Sequence, residues 1–308
     1  MTWSLSFDGI DDTVSIPAIE PTDITAEIYF LPIRYGQGAT DNYHFSTIAP
    51  GVNAFAMVTT FGGNWATLIT TSGGIQFLAQ VTPSLGLNVP HHVVLTYDQA
   101  SGAARQYNEG VLSSSLDLTP GTAIAWGGGL LHISIPTAES KGKFAIARLW
   151  SRALSSDEVQ NLFLQRFART VTGLTTALEL SLVMSDGSGT TLTDASGNGN
   201  NGTISGATWI AGDIGSKVVM TVFEHAGEVA LGDPIQYTAA VIDGVNSAVI
   251  SGTNGKRRRV RVFAEADCWI KTGLNPTATG GSDSIPLSIS NPEYIDIEAG
   301  HVLTAITR

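Results

Sequence analysis

The apolar pattern is densest from Gly142 to Leu164, GKFAIARLWSRALSSDEVQNLFL. Phe144–Trp150 contains no breaker, and both alternate sets (Phe144, Ile146, Trp150 and Ala145, Ala147, Leu149) are apolar. That is the pattern of a strand covered on both faces. Ser155 then predicts a helix N-cap, because Glu158 stands where it can close a capping box. Leu154 and Val159 have the spacing of the matching hydrophobic staple. Val159, Leu162, Phe163 and Phe167 continue at helical spacing and predict one apolar stripe. Elsewhere the period is two. Trp3, Leu5 and Phe7 alternate with small polar residues, the Asp8-Gly9 and Asp11-Asp12 pairs mark a turn, and Thr13–Ile16 returns. HHVVLTYD opens at His91, and Asn108-Glu109-Gly110 predicts a hairpin turn.

The run from Gly142 resembles the closing strand and helix of laminin G-like, concanavalin A-like jelly rolls, in which a strand of the type DDVRIYNRAL precedes S-x-x-E. SLSFDGIDDTVSIP at residues 4–17 and HHVVLTYDQASGAARQYNEGVL at residues 91–112 resemble the same family. The resemblance spans residues 3–168 and implies an all-β jelly-roll sandwich over residues 1–170. Many relatives place two acids at the start of the closing strand, where this chain has Ala145 and Ile146. A hard cation such as calcium needs oxygen ligands, so Asp8, Asp11 and Asp12 are read as turn residues and neither metal nor cofactor is expected.

Two further segments follow. Within residues 171–215, LELSLVMSDGSGTTLTDASGNGNNGTISGATWI resembles the first strands of another domain of the same family, and no full copy follows. It reads either as a truncated repeat or as accessory strands on the first sandwich. Residues 216–308 predict a small β-sandwich or barrel, with strands at 217–223, 235–242, 257–264, 268–271, 285–289, 294–297 and 301–306. Residues 259–306 resemble a small β module that recurs in bacteriophage structural proteins, which implies a place on a virion. An anchoring or oligomerising role for residues 216–308 follows from that.

Composition narrows the function classes. With 43% hydrophobic residues, 34 glycines and 14% charged residues, the chain reads as a folded, turn-rich β protein. Net charge is −11, which argues against general nucleic-acid binding. No apolar run approaches a membrane span, and no signal peptide is expected ahead of TWSLSF. Cys268 is the single cysteine, so no internal disulfide framework is possible. Assembly in a host cytoplasm and display on a virion surface reconcile these features with a jelly roll.

Candidate chemistry is sparse. Tyr35, Tyr43, His44 and Trp65 offer flat faces to sugar rings, and Asp41 and Asn42 offer hydrogen bonds; Trp65 also continues a strand and can face the core. The paired His91-His92 point to opposite faces of a strand and cannot chelate one metal side by side. Glu293-Tyr-Ile-Asp296-Ile-Glu298 approaches the carboxylate motif of jelly-roll glycosidases, but its first gap is three instead of two. Lys256–Arg261 is the one basic run. Arg257, Arg259 and Arg261 are candidates for docking an acidic partner surface, the alternative being a solvated or edge-protecting sheet face.

The expectation is therefore a non-enzymatic bacteriophage virion protein, a capsid decoration or a tail or fibre appendage. Its partners would be capsid or tail proteins, further copies in a homo-oligomer, and a host-surface glycan bound weakly; neither nucleic acid nor membrane is among them. A bacterial glycan-binding adhesin is the first alternative, and a polysaccharide hydrolase the second.

Overall fold

A computed structural model describes residues 3–35, 41–48, 54–60, 64–81, 86–88, 90–135, 138, 140–166, 169, 171–212 and 214, with backbone alone at 48 and 76–81. Beyond these it describes strand segments of residues 218–307, given below. The chain divides into two compact units, residues 1–214 and 215–308.

The first unit runs β1 (Trp3–Asp8), β2 (Thr13–Ile16), β3 (Ile24–Pro32), β4 (Asn42–Ile48), β5 (Phe55–Thr59) and β6 (Trp65–Thr71). It continues with β7 (Gly74–Val81), β8 (His91–Asp98), β9 (Ala103–Asn108), β10 (Val111–Asp117), β11 (Leu130–Ile133) and β12 (Lys141–Trp150). After α1 (Ser156–Gln165) come β13 (Leu178–Val183), β14 (Thr191–Leu192), β15 (Gly202–Ser205) and β16 (Thr208–Ala211). One sheet has the order β10-β9-β8-β3-β12-β1-β16, with β13 also on β12; the other is β14-β15-β2-β11-β4-β5-β6-β7. Neighbouring strands run antiparallel, for example Leu5 opposite Phe144, Ala147 opposite Ile28, and Phe45 opposite Ile133. The unit is a β-sandwich of the jelly-roll kind, with its core between the inner faces.

β12 is buried from Phe144 to Trp150, as its unbroken apolar run predicts. The assignment to faces differs from strict alternation. A register shift against β3 falls between Phe144 and Ile146, so Ala145 is the extra residue of a bulge. Phe144, Ala147 and Leu149 therefore enter the main core, whereas Ala145, Ile146 and Trp150 lie in clusters on the outer face.

The outer face is buried because α1 and the chain after it form a third layer. Val94 and Trp150 from the sheet pack with Leu154, Val159, Leu162 and Leu174. A buried side chain of this size contributes about 1.5–3 kcal/mol, so this patch holds a helix that is short for independent stability. The predicted cap is present in full. The Ser155 hydroxyl accepts from the Glu158 amide at 3.3 Å, and the Glu158 carboxylate accepts from the Ser155 amide at 2.8 Å. Arg152 adds a fork to both Glu158 oxygens at 2.8 and 2.9 Å. Hydrogen bonding from Arg152 is the main reason that Glu158 sits below the usual glutamate pKa. Phe167, the last residue of the stripe read from sequence, lies outside the described residues.

Ser155→Ala should cost about 0.5–2 kcal/mol in urea unfolding. Glu158→Ala should cost more, since it also releases Arg152. The double variant should lose less than the sum, because the two side chains close one box; strict additivity would show that they act separately.

Residues 178–211 begin no second sandwich. β16 pairs with β1, β15 with β2, and β13 with β12. Leu180, Leu182, Met184, Leu192 and Ile204 belong to the main core. Of the two readings of this segment, accessory strands on the first sandwich match the structure.

The second unit contains β17 (Val218–Phe223), β18 (Ala239–Val241), β19 (Arg258–Ala264), β20 (Cys268–Gly273), β21 (Ile285–Leu287), β22 (Glu293–Ile297) and β23 (Val302–Thr307). They form a sheet β18-β17-β19-β22 and a sheet β21-β20-β23. Each described strand falls on a segment whose alternation predicts one.

Candidate functional site

Several of the candidate residues border one end of the first unit. Asp8 lies opposite Lys141, and Pro32 opposite Gly142, so the β1–β2 turn, the end of β3 and the start of β12 meet there. The turn is organised by its own acids. Asp8 Oδ1 accepts from the Ile10 amide at 2.8 Å, and Asp12 Oδ2 accepts from the Asp8 amide at 2.6 Å. Arg34 Nη2 donates to the Gly9 carbonyl at 3.0 Å, and Asn42 Nδ2 to the Arg34 carbonyl at 3.2 Å. Gly9 has φ 76°, and a Cβ there would lie 2.6 Å from Arg34 Nη2. Only glycine combines that conformation with so close an approach. Ile10 projects from the tip, 70% exposed.

Asp8, Asp11 and Asp12 each bring one carboxylate oxygen within 4.8 Å of the others. Three oxygens at that spacing are the kind of set a hard cation uses. Asp8 and Asp12, however, each give an oxygen to an amide of their own turn, the role read for them from sequence. Burial is the main cause that raises the Asp12 pKa, and the charges of Asp8 and Asp11 add to it against the Asp8 amide.

The sugar-contact candidates divide. Tyr35 and Asp41 are half-buried, close in sequence to the Arg34–Asn42 brace. Asn42 is 3% exposed and is spent as that brace, so it presents no amide outward. Tyr43 is half-buried against the cluster of Ala56, Val58, Ala66 and Leu68. Trp65 is fully buried. Its indole stacks on His44 at 5.3 Å with an interplanar angle of 12°, and packs on Phe30 at 5.2 Å. A sugar face is thus corrected to a core ring at Trp65, because β6 turns the indole inward.

His44 itself is enclosed. Nδ1 meets Ser140 Oγ at 2.8 Å and Nε2 meets Thr59 Oγ1 at 3.0 Å. Burial pushes its pKa down to about 3, so the ring stays neutral at physiological pH. This Ser–His contact is a satisfied core pair. His132 is also held below its ordinary value by burial, on the outer face of the second sheet, near the hydroxyls of Thr13 and Ser15 at 3.3 and 3.4 Å.

A polar set that the sequence did not bring together lies beneath α1. Glu27, His92 and Arg148 are all fully buried. Glu27 Oε1 lies 2.8 Å from His92 Nε2, and Glu27 Oε2 accepts from Arg148 Nη1 at 3.1 Å. Arg148 also donates to Ser181 Oγ at 3.3 Å and to the Arg169 carbonyl at 2.9 Å. Burial pushes the Glu27 pKa upward, but Arg148 and His92 outweigh it and hold the carboxyl below its usual range. A signal was present: a charge inside an apolar run, Arg148 in AIARLW and Glu27 in ITAEIYF, needs a buried partner.

In the second unit, Arg257 lies outside the described residues. Arg259 and Arg261 stand in β19, opposite Asp296 and Tyr294 of β22 and opposite Phe223 and Thr221 of β17. β19 has a neighbour on each side, so its arginines do not guard a sheet edge. Glu293 stands opposite Val262, and Glu298 lies outside the described residues.

Residues 8–160 match the family model described as the concanavalin A-like lectin/glucanases superfamily. No characterised sequence is a significant match to the chain. Among solved structures, a protein of Bacteroides ovatus, provisionally described as carbohydrate binding, aligns at 19% identity and TM-score 0.50. The alignment covers 68% of this chain and 60% of that protein, so the chain accounts for less than two thirds of its length. A CBM40 from the Ruminococcus gnavus IT-sialidase, solved with α2,3-sialyllactose, aligns at 14% identity and TM-score 0.42 over 51% of this chain and 96% of its own. A Trypanosoma rangeli sialidase aligns at 17% identity and TM-score 0.40 over 52% and 27%. At these identities the likeness is one of fold. Over residues 8–160 the chain is similar to that superfamily, and its fold is the all-β sandwich of a concanavalin A-like jelly roll.

Proposed function

We propose that the first unit is a carbohydrate-binding module that acts by adhesion and not by turnover. The observation that carries this is the loop end: the half-buried Tyr35 and Asp41 adjoin in sequence the Arg34–Asn42 brace, which holds the β1–β2 turn that carries the exposed Ile10. An aromatic face with a few polar groups on a rigid frame is the usual composition of a small-ligand site. The fold supports the same reading, since the Bacteroides ovatus protein of similar fold is itself described as carbohydrate binding.

The full chain applied to a glycan array should bind a subset of sugars. Tyr35→Ala should weaken that binding about tenfold, the scale of one aromatic contact, with the melting temperature unchanged. Undiminished binding by Tyr35→Ala would remove the loop end from the site.

The setting we propose for this adhesion is the surface of a phage particle, with residues 216–308 holding the module or its oligomer in place. Its support is the sequence resemblance of residues 259–306.

A further inference from the structure

A polar row crosses four strands on the outer face of the second sheet. Thr203 of β15 stands opposite Ser15 of β2, Ser15 opposite His132 of β11, and His132 opposite Ser46 of β4. Their chain neighbours Ile204, Val14, Ile133 and Phe45 belong to the main core, so by alternation the four members of the row lie on the other face. The row descends into the protein. Thr203 is exposed, Ser15 half-buried, His132 9% exposed and Ser46 fully buried. Beyond Ser46 comes Ala56, part of the buried cluster with Val58, Ala66 and Leu68 against which Tyr43 packs.

Two groups along the row have hydrogen-bonding capacity to spare. Ser46 Oγ is buried and has no partner, whereas buried hydroxyls are normally paired. Thr13 Oγ1 donates to the Ser134 carbonyl at 2.7 Å, so toward His132 Nδ1, at 3.3 Å, it can only accept. Nδ1 therefore carries the ring proton and Nε2 is an acceptor, which no described residue fills. β2, β4, β11 and β15 contain no Asp, Glu, Lys or Arg, and burial keeps the His132 ring neutral.

We propose that this recess is a second binding site of the first unit, separate from the loop end, and that it takes an uncharged sugar residue at the end of a neutral glycan. Directly opposed residues stand about 5 Å apart at Cβ, a gap that one sugar ring bridges. One ring hydroxyl donates to His132 Nε2 while another pairs with Ser46 Oγ, which can both donate and accept. The cluster around Ala56 and Tyr43 offers apolar surface to the C–H face of the ring. An acidic sugar would bring a charge into a recess that has no cation to pair with it, so the ligand is neutral.

The test titrates the full chain, by calorimetry, with the neutral hexasaccharides of glucose, mannose, galactose and N-acetylglucosamine, and with sialyllactose as the charged comparison. At least one neutral sugar should bind, and more tightly than sialyllactose. Ser46→Ala should weaken that binding about tenfold. The same variant should raise the unfolding midpoint, because it removes a buried hydroxyl that has no partner. Thr203→Trp, which sets a ring at the open end of the row, should weaken binding at least as much, and Tyr35→Ala should leave it unchanged. Binding of none of the neutral sugars would overturn the proposal, as would binding that Ser46→Ala and Thr203→Trp both leave intact. Binding lost with Tyr35→Ala alone would assign the sugar to the loop end and overturn the recess. A lower unfolding midpoint for Ser46→Ala would show that its hydroxyl serves the fold, with the same result.

Discussion

Glutamine in place of Glu27 is expected to lower the unfolding free energy by about 3–5 kcal/mol, the cost of leaving a buried charge without its partner. Arg148 has no exposed surface, and its other partners are the Ser181 hydroxyl and the Arg169 carbonyl, both neutral. With Glu27 amidated, the guanidinium keeps its desolvation cost and loses the carboxylate that offsets it. Arg148→Met alone should cost a comparable amount, since it strands Glu27 with only His92 beside it. The double variant should recover a large part of the loss, because a buried ion pair replaced by apolar groups is often nearly neutral. Urea unfolding at pH 7 measures all three. A loss under about 1 kcal/mol for Glu27→Gln, the range of exposed ion pairs, would mean that water reaches this set.

The second large effect is a loss of stability in mild acid, centred on His44. Its ordinary pKa is 6.5, and burial lowers it to about 3 in the folded chain. Between those values the unfolded chain binds a proton that the folded chain rejects, so stability falls as pH falls below 6.5. The slope is about 1.4 kcal/mol per pH unit for one group, or roughly 3 kcal/mol by pH 4. His132 is shifted in the same direction and adds to the slope. Glu27, whose folded pKa is depressed, contributes stability above its ordinary 4.5 that is lost as pH falls through the lower folded value. Unfolding midpoints between pH 7 and 5 isolate the histidines. His44→Gln should flatten that interval by about one proton, and an unchanged slope would show that His44 titrates normally.

Local order was legible where neighbours in sequence are neighbours in space. The Ser155–Glu158 box, the Leu154–Val159 pair and the Asp8–Asp12 turn all lie within one turn of chain. The seven described strands of the second unit follow from alternation for the same reason. The Glu27–Arg148 pair is separated by 121 positions and Glu27–His92 by 65, distances over which spacing carries no information. The segment 178–211 shows a related limit. Its sequence identifies a kind of strand, but not the sandwich that it joins. The sugar candidates were chosen by residue type, which cannot separate Trp65, turned inward, from Tyr35, left at a rim.

Ala145 is also a reserve of chain length. Downstream of the bulge, Ala147 and Leu149 face the core, whereas Ile146, Arg148 and Trp150 face away from it. Deleting that one alanine would remove the bulge and leave Phe144 and Ile146 adjacent, still opposite Phe30 and Tyr29, so Arg148 would keep its place opposite Glu27. The ionic set is thus insulated from the loss of one residue at this point. A frame-preserving deletion of three nucleotides at this codon should be far milder than loss of the arginine itself.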